Sequence, residues 1–308
     1  MTATVFIDGA VGTTGLEIRD RLAGRTDLSV VMLDEARRKD AAARREALND
    51  ADFVILCLPD DAAREAVALI DNPRTRVIDA SSAHRVAAGW TYGFAELAPG
   101  NAAAIAGATR VTNPGCYPTG FLALVAPLVR VGLIPPDQPL SINATSGYSG
   151  GGKAMIAEFE GGTASAFRPY GLQLAHKHVG EMTTHAGLTH APIFAPAVAN
   201  TYRGMVVEVP LHLYALPGTP TLDALEDALR AAFEGSPLVA IGSGDVGAID
   251  IAENAGTDRL TLRVCGNAAA GHARLVATLD NLGKGAGGAA VQNLNIMAGL
   301  DTHAGLIL

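Results

Sequence analysis

The stretch Val5-Phe6-Ile7-Asp8-Gly9-Ala10-Val11-Gly12-Thr13-Thr14-Gly15 decides the fold. It opens on an apolar run with the character of a strand. Three glycines spaced three apart follow, and residues 14–23 then carry a helical pattern. Strand, glycine turn and helix in that order suit dinucleotide binding. Glycine permits a tight turn and lets backbone approach a pyrophosphate, and the helix N-terminus offers N–H donors and the positive end of its dipole. The spacing is G-x-x-G-x-x-G rather than the commoner G-x-G-x-x-G, and an ordinary glycine turn has the same composition. The weight therefore falls on the strand-turn-helix context. Gly9, Ala10, Gly12, Thr13, Thr14 and Gly15 are the candidate contacts here.

Working outward, apolar runs at 28–33, 53–58 and 77–79 alternate with helical patterns at 41–49 and 62–70. That rhythm predicts a parallel sheet with right-handed crossovers. The second strand runs into Leu33-Asp34-Glu35-Ala36-Arg37-Arg38-Lys39. An acidic residue at this place suits a ribose 2′-hydroxyl and an arginine a 2′-phosphate. Both signals are present, and the three consecutive cations favour NADP(H), with Arg37 and Arg38 as its readers; the competing explanation is a solvated, charged helix start. Leu58 and Pro59 close the third strand, where backbone would pass the cofactor.

The rest of the chain has a different texture. Residues 140–144, 204–213 and 259–266 read as longer strands, some alternating polar and apolar, as suits a sheet with one open face. Residues 221–233 predict a helix with Thr219 as cap and Pro220 at its first position, and 287–298 a helix returning to the first domain. Residues 147–171 are glycine-rich and predict a mobile loop region. The expected fold class is α/β: a Rossmann-type parallel-sheet domain over 1–115, rejoined by about 285–308, and an α+β catalytic and oligomerisation domain over 116–284 with a mixed or antiparallel sheet.

Composition agrees. A chain of 308 residues suits two domains. No stretch is apolar and uncharged for the roughly 20 residues a spanning helix needs. No basic segment precedes an apolar one at the start, so a secretory signal is not expected. Three cysteines make a poor disulfide framework and suit a reducing cytoplasm. A formal net charge of −8 argues against nucleic acid, so anionic ligands must be met by local cations and backbone N–H groups.

Asn113-Pro114-Gly115-Cys116-Tyr117-Pro118-Thr119 carries the chemistry. A short strand at 110–112 runs in and an apolar helix over 119–131 runs out, placing Cys116 at or just before a helix N-terminus. That field favours thiolate, and the same N–H groups can hold a developing oxyanion. Cys57 and Cys265 lie within or near strand runs and read as small buried hydrophobes.

At this point the sequence resembles N-acetyl-γ-glutamyl-phosphate reductases over nearly its whole length. The likeness is carried by the glycine turn, the Cys116 segment and five further motifs: Asp79-Ala80-Ser81-Ser82-Ala83-His84-Arg85, Tyr92-Gly93-Phe94-Ala95-Glu96-Leu97, Ser146-Gly147-Tyr148-Ser149-Gly150-Gly151-Gly152-Lys153, His176-Lys177-His178 and Ala290-Val291-Gln292-Asn293-Leu294-Asn295. The shorter form of that family is the better match, because Val-Gly-Glu-Met follows the paired histidines. The family is similar in turn to aspartate-semialdehyde and glyceraldehyde-3-phosphate dehydrogenases. The resemblance implies NADPH-dependent reduction of N-acetyl-L-glutamyl 5-phosphate to the 5-semialdehyde and phosphate, through a Cys116 thioester, in arginine biosynthesis. It also places His176 or His178 as general acid/base, without deciding between them. Arg85, Asn113, Ser146, Ser149 and Lys153 are implied at the substrate, Ser81 at the cofactor, and Asn293 and Asn295 at the nicotinamide carboxamide.

The chemistry independently needs a proton manager that titrates near neutrality, which is histidine's province. In an extended segment His176 and His178 would point to one side. No third metal ligand stands beside them, so no metal is expected. Expected partners are a small acyl phosphate and further copies of the chain, as dimer or tetramer, with neither nucleic acid nor membrane. Two other functions compete: an aspartate-semialdehyde dehydrogenase-like reductase, against which the H-x-H pair and the glycine-rich lysine loop speak, and a non-catalytic NADP sensor, which has no need of a cysteine at a helix start.

Overall fold

The computed structural model describes residues 2–162 and 164–308; Met1, where the N-terminal reading began, and Thr163, inside the expected mobile loop, lie outside it. The chain divides into two compact units. The first contains the residues up to Ala95, Pro99–Gly115 and Ala286–Leu306; the second contains Glu96–Ala98, Cys116–Gly285 and the last two residues.

The first unit alternates β1 (Ala3–Asp8), α1 (Thr13–Leu22), β2 (Leu28–Val31), α2 (Ala41–Asp50), β3 (Phe53–Leu56), α3 (Asp60–Ala68) and β4 (Arg76–Asp79), followed by β5 (Thr91–Tyr92), α4 (Asn101–Gly107) and β6 (Arg110–Thr112). The sheet order is β2-β1-β3-β4-β6-β5, and its neighbouring strands pair in parallel. β3 is buried along its whole length, which is why it reads as an unbroken apolar run instead of an alternating one. Apolar clusters lie on both faces. One gathers Val5, Ile7, Ile18, Ile55, Ile78 and Val111. The other gathers Phe6, Leu48, Val54, Leu56 and Val77. The last helix, α9 (Gly288–Ala298), returns to this unit and packs on α1 and α4.

The second unit is built on α5 (Cys116–Arg130), β7 (Ser141–Gly147), α6 (Gly152–Glu160), β8 (Phe167–Pro169), α7 (His178–Ala186), β9 (Ile193–Ala199), β10 (Met205–His212), α8 (Leu222–Ala232), β11 (Val239–Ile241), β12 (Leu260–Asn267) and β13 (His272–Leu279). Its mixed sheet runs β11-β12-β13-β10-β7-β9-β8, with β7 and β9 parallel and β12, β13, β10 and β7 successively antiparallel. β10 and β12 alternate buried and part-exposed residues over most of their length, so the open face expected from the sequence is present. Helix α5 crosses the other face, against β10 and β13, and Gly120 allows the approach: a Cβ there would stand 2.8 Å from Val207 Cγ2.

Three expectations are corrected. Residues 147–171 are not one loop, since they include α6 and β8. Phe159 at the end of α6 is buried and stacks on Tyr148, and Arg168 on β8 pairs with Glu158 at 2.5 Å. Glycine content masked the spacing of Met155, Ile156 and Phe159 that makes this helix. Thr219 is not the cap of α8; it has φ +46°, and Thr221 caps the helix by accepting the Ala224 N–H at 3.1 Å. Finally, α5 starts at Cys116, three residues earlier than 119, because Pro118 in a first turn gives up only an N–H that has no intrahelical acceptor.

The glycine turn yields a stability test. Gly9 has φ +89°, and a Cβ on it would lie 2.3 Å from the Cys57 carbonyl oxygen. Gly9→Ala should therefore lower the unfolding free energy by about 1–3 kcal/mol or more, read from the urea midpoint. An unchanged midpoint would show that the turn does not need this conformation.

Candidate active site

In the first unit the glycine turn forms a cradle. Gly12 N–H closes on the Gly9 carbonyl at 3.0 Å, and the next backbone bond of the helix is Leu16 N–H to Gly12 O at 2.9 Å. Thr13, Thr14 and Gly15 thus contribute first-turn N–H groups, which an α-helix leaves without backbone acceptors. Gly12 makes no side-chain cap. A Cβ at Gly15 would meet the Gly9 oxygen at 2.5 Å and the Ala10 Cα at 2.7 Å, so the tight packing requires glycine. Leu58 lies against Gly9, and Pro59 caps α3.

The other expected cofactor residues divide. Arg37 and Arg38 stand on a single 3-10 turn, Arg37–Lys39, paired with Glu46 at 3.2 Å and Glu35 at 2.7 Å. The Arg38 Nε is buried and makes no hydrogen bond among the described residues. Asp34 accepts the Arg37 N–H at 2.8 Å, so its carboxylate is engaged in that turn. Ser81 is buried, and its N–H and hydroxyl both donate to Asp79, at 2.9 and 2.7 Å. Asn293 donates through Nδ2 to the Gly93 carbonyl at 2.9 Å and to Asn113 Oδ1 at 3.1 Å, while its own Oδ1 is buried with no hydrogen-bond partner among the described residues. Asn295 is different. Its amide donates to the Thr302 and Ala304 carbonyls and accepts from Arg25, tying down the C-terminal segment. Its amide is thereby engaged within the chain.

Two expected substrate residues also lie in this unit. Arg85 is buried, and its guanidinium donates to the carbonyls of Asn113, at 3.1 Å, and Ala80, at 3.2 Å. The Asn113 side chain donates to the Ala286 carbonyl at 2.9 Å and accepts from Asn293, so it serves this internal network. Asp79 is the organiser that the sequence reading missed. It is fully buried and also meets His84 Nδ1 at 2.6 Å. Its signal was present as the first residue of the Asp-Ala-Ser-Ser-Ala-His-Arg motif.

In the second unit Cys116 is the first residue of α5 and is half-buried. The glycine of Gly-Lys-Gly at 283–285 lies against it: a Cβ on Gly285 would stand 2.9 Å from Cys116 Cβ. Tyr117, Phe194, His176 and His178 form an aromatic group beside it. His176 stands edge-on to Tyr117 at 6.3 Å, to Tyr170 at 5.9 Å and to Phe194 at 5.1 Å, and 4.7 Å from His178. The Tyr170 hydroxyl donates to Tyr117 at 3.2 Å, and the Tyr117 hydroxyl donates to the Ala197 carbonyl at 3.1 Å. Burial first, then the Tyr170 phenol and negative charge on Cys116, raise the Tyr117 phenol well above its usual pKa, and burial, with a smaller contribution from Cys116, brings Tyr170 to about 12. Both therefore stay protonated at neutral pH. Tyr117 stands in the Cys116 segment without a role read for it there, and nothing in the sequence marks Tyr170.

The histidine segment is not extended. Lys177 has helical angles, and α7 begins at His178. The two rings come together because the His178 backbone N–H donates to His176 Nδ1 at 3.2 Å, closing a tight turn at the helix start. His178 is buried, and so is Glu181, three residues on along the same helix face. Ser146 and Ser149 are buried. Ser146 donates to the Gly147 carbonyl and Ser149 accepts from Asn281 at 2.9 Å. Lys153 is exposed in the first turn of α6.

Comparison with known proteins accounts for both halves of this arrangement. Residues 4–106 match the semialdehyde dehydrogenase NAD-binding domain model, and residues 116–281 match the semialdehyde dehydrogenase dimerisation domain model. Aspartate semialdehyde dehydrogenase II of Vibrio cholerae, complexed with ASA, shares the fold with a TM-score of 0.74 at 16% identity over 97% of this chain and 98% of that one. An enzyme of the same name from Candida albicans, with NADP, gives 0.67 at 12% identity, covering 97% and 99%. Sequence relatives are far nearer. The N-acetyl-γ-glutamyl-phosphate reductase of Burkholderia lata is 53% identical over 96% of both chains, and that of Rhizobium meliloti 49% over 96% of this chain and 99% of its own. A second such reductase, from Pseudomonas putida, is 50% identical over 98% and 99%. With a nicotinamide dinucleotide cradle in one unit and a helix-borne cysteine beside paired histidines in the other, this oxidoreductase belongs to the N-acetyl-γ-glutamyl-phosphate reductase family.

Proposed function

We propose that the chain reduces N-acetyl-L-glutamyl 5-phosphate to N-acetyl-L-glutamate 5-semialdehyde and phosphate, with NADPH, as a step of arginine biosynthesis in the cytoplasm. The observation that carries this is Cys116 at the first position of α5, followed by Tyr117, which packs against His176 and His178, in a chain about half identical to reductases of that name. The Cys116 thiolate attacks the acyl carbon, the carbon–oxygen bond to phosphate breaks, and a thioester forms on Sγ. NADPH, when bound, supplies the hydride that reduces this acyl group. The N–H groups at the start of α5 stabilise the oxyanion of the resulting thiohemiacetal. Its collapse expels the Cys116 thiolate and releases the aldehyde.

The contact between the His178 backbone and the His176 ring supports one division of roles. A backbone N–H can only donate, so His176 Nδ1 is the acceptor and the neutral ring carries its proton on Nε2. Protonating Nδ1 would break that bond. On this reading His176 acts as a fixed donor to substrate oxygen, and His178 carries the proton to and from the reacting groups. Arg85 serves the substrate's anionic groups, and Lys153, an exposed cation in the first turn of α6, the departing phosphate. Ser146 and Ser149 shape the wall of the thiol site. Gly9–Gly15 hold the pyrophosphate, and Asn293 Oδ1 offers the unpaired acceptor that a carboxamide requires. Arg37 and Arg38 read the 2′-phosphate. The chain works as a homo-oligomer through its second unit, whose family model carries the dimerisation name.

The substrate reading is tested in reverse. N-acetylglutamate semialdehyde, phosphate and NADP should yield NADPH at least about a hundredfold faster than aspartate semialdehyde under the same conditions, the discrimination expected when buried polar contacts read one substrate. Equal rates would assign the chain to the aspartate-semialdehyde reaction class. For the histidines, His178→Asn should lower kcat about 10²–10⁴-fold and flatten the limb of the pH–rate profile near neutrality. His176→Asn should chiefly raise KM. The reverse pattern would exchange their roles. Replacing both Arg37 and Arg38 by alanine should weaken NADPH binding about tenfold or more while leaving NADH binding nearly unchanged, since each charge-assisted bond is worth about 1.5–3 kcal/mol. Equal loss for both cofactors would free these arginines from the 2′-phosphate role.

A further inference from the structure

Lys284 and Glu96 form an ion pair that the reaction above does not use. Lys284 Nζ meets Glu96 Oε2 at 2.8 Å, and both side chains are covered, with 3% and 13% of their surface exposed. A buried ion pair is a weak source of stability, because desolvation offsets the attraction. Glu96 comes from the tripeptide Glu96–Ala98, which belongs to the second unit although the sequence on either side belongs to the first. Lys284 sits in a single π-helical turn, Gly283–Gly287, a rare conformation that recurs at functional sites. The turn is packed without slack. A Cβ on Gly283 would lie 2.1 Å from the Thr257 carbonyl oxygen, and Gly285 N–H donates to the Asp280 carbonyl at 3.0 Å. Asp280 is fully buried and held by Arg203 at 3.1 Å and by the Leu282 N–H at 2.8 Å.

Gly285, the next residue after Lys284, is the wall of the thiol: its would-be Cβ is 2.9 Å from Cys116 Cβ and 3.3 Å from Cys116 Cα. Adjacent Cα atoms are about 3.8 Å apart, so the Lys284 Cα is within about 8–9 Å of Cys116 Cβ. We propose that Lys284, fixed by Glu96, is a positioning residue for the Cys116 thiolate: the pair holds the Gly283–Gly285 turn against the thiol and keeps one buried cation beside it. The inference rests on Cys116 being the nucleophile of the proposed reaction. A lysine on the turn that walls the thiol favours thiolate over thiol, and a carboxylate opposes it. The other titratable groups at this end of the unit are the phenols of Tyr117 and Tyr170, the His176 and His178 rings packed on Tyr117, Glu181 three residues after His178 on α7, and the Arg203–Asp280 pair behind the turn.

The test is the pH profile of Cys116 alkylation by iodoacetamide, followed by mass spectrometry on the full chain. Cys57 and Cys265 leave the window clear, since burial first, and then Asp79 and Asp8, push the Cys57 thiol up to about 12, and burial raises that of Cys265. Cys116→Ser identifies the labelled peptide, and it also separates the two ideas: a Cys116→Ser protein that keeps turnover overturns the covalent mechanism, whereas the alkylation profile reads the thiol whatever the reaction. Lys284→Met removes the cation and leaves Glu96, so the profile should move up by at least half a pH unit, with alkylation at pH 7 slowed at least threefold. Glu96→Gln keeps an acceptor and removes the anion, so its profile should move down. Lys284→Arg should restore most of the wild-type profile. A folded Lys284→Met whose profile stays in place, or both variants moving in the same direction, overturns the proposal. If Lys284→Met does not fold, Glu96→Gln decides alone: a downward shift supports the charge couple, and an unmoved or upward profile refutes it.

Discussion

Everything at the reacting end of this molecule depends on one burial constraint: the helix that begins with Cys116 is covered from Tyr117 to Leu128. An apolar helix buried all round is a piece of core, not a surface element. α5 is gripped by β10 and β13 beneath it and by α7 and α8 beside it, so its first residue cannot drift. Cys116 therefore inherits its position from the hydrophobic core of its unit. Close packing tolerates little change of volume at such contacts, so sites like Gly120 and Gly285 accept no larger residue without movement.

Against that fixed helix, the polar groups are arranged by hydrogen bonds of unambiguous direction. The backbone N–H of His178 settles the tautomer of His176. The Ala197 carbonyl settles the direction of the Tyr117 and Tyr170 hydroxyls, because a carbonyl can only accept. In the first unit the carboxylate of Asp79 collects Ser81 and His84, and Asn113 and Asn293 lock each other. Sites preorganised in this way do not have to reorient when charge develops, and preorganisation is the main route by which enzymes stabilise transition states electrostatically.

Much of this was legible in the sequence for physical reasons. The parallel sheet announced itself through β3, whose Phe53–Leu56 run is apolar because both faces are covered. The glycine turn was readable because Gly9 and Gly15 stand where no side chain fits. Cys116 was placed at a helix start by its proline and glycine neighbours. Other features were illegible because they depend on long-range packing. Nothing local marks Tyr170, which reaches Tyr117 across 53 positions, and the motif that holds Glu96 does not reveal its partner Lys284, 188 positions away. The 147–171 segment misled because glycines dominated a short helix whose anchor is the stacking of Phe159 on Tyr148. Asn295 misled in the opposite sense: it shares a motif with Asn293, but two residues along a helix its amide faces Arg25 and the C-terminal segment.

The covalent role of Cys116 is the claim on which the account stands, and trapping the acyl-enzyme addresses it directly. Holding the protein with the acyl phosphate in the absence of NADPH should release about one phosphate per chain in a burst and leave a thioester-linked acyl group on Cys116, seen by intact-mass and peptide mass spectrometry. The adduct should disappear on addition of NADPH. Phosphate release without an adduct, or an adduct on any residue other than Cys116, would contradict the account.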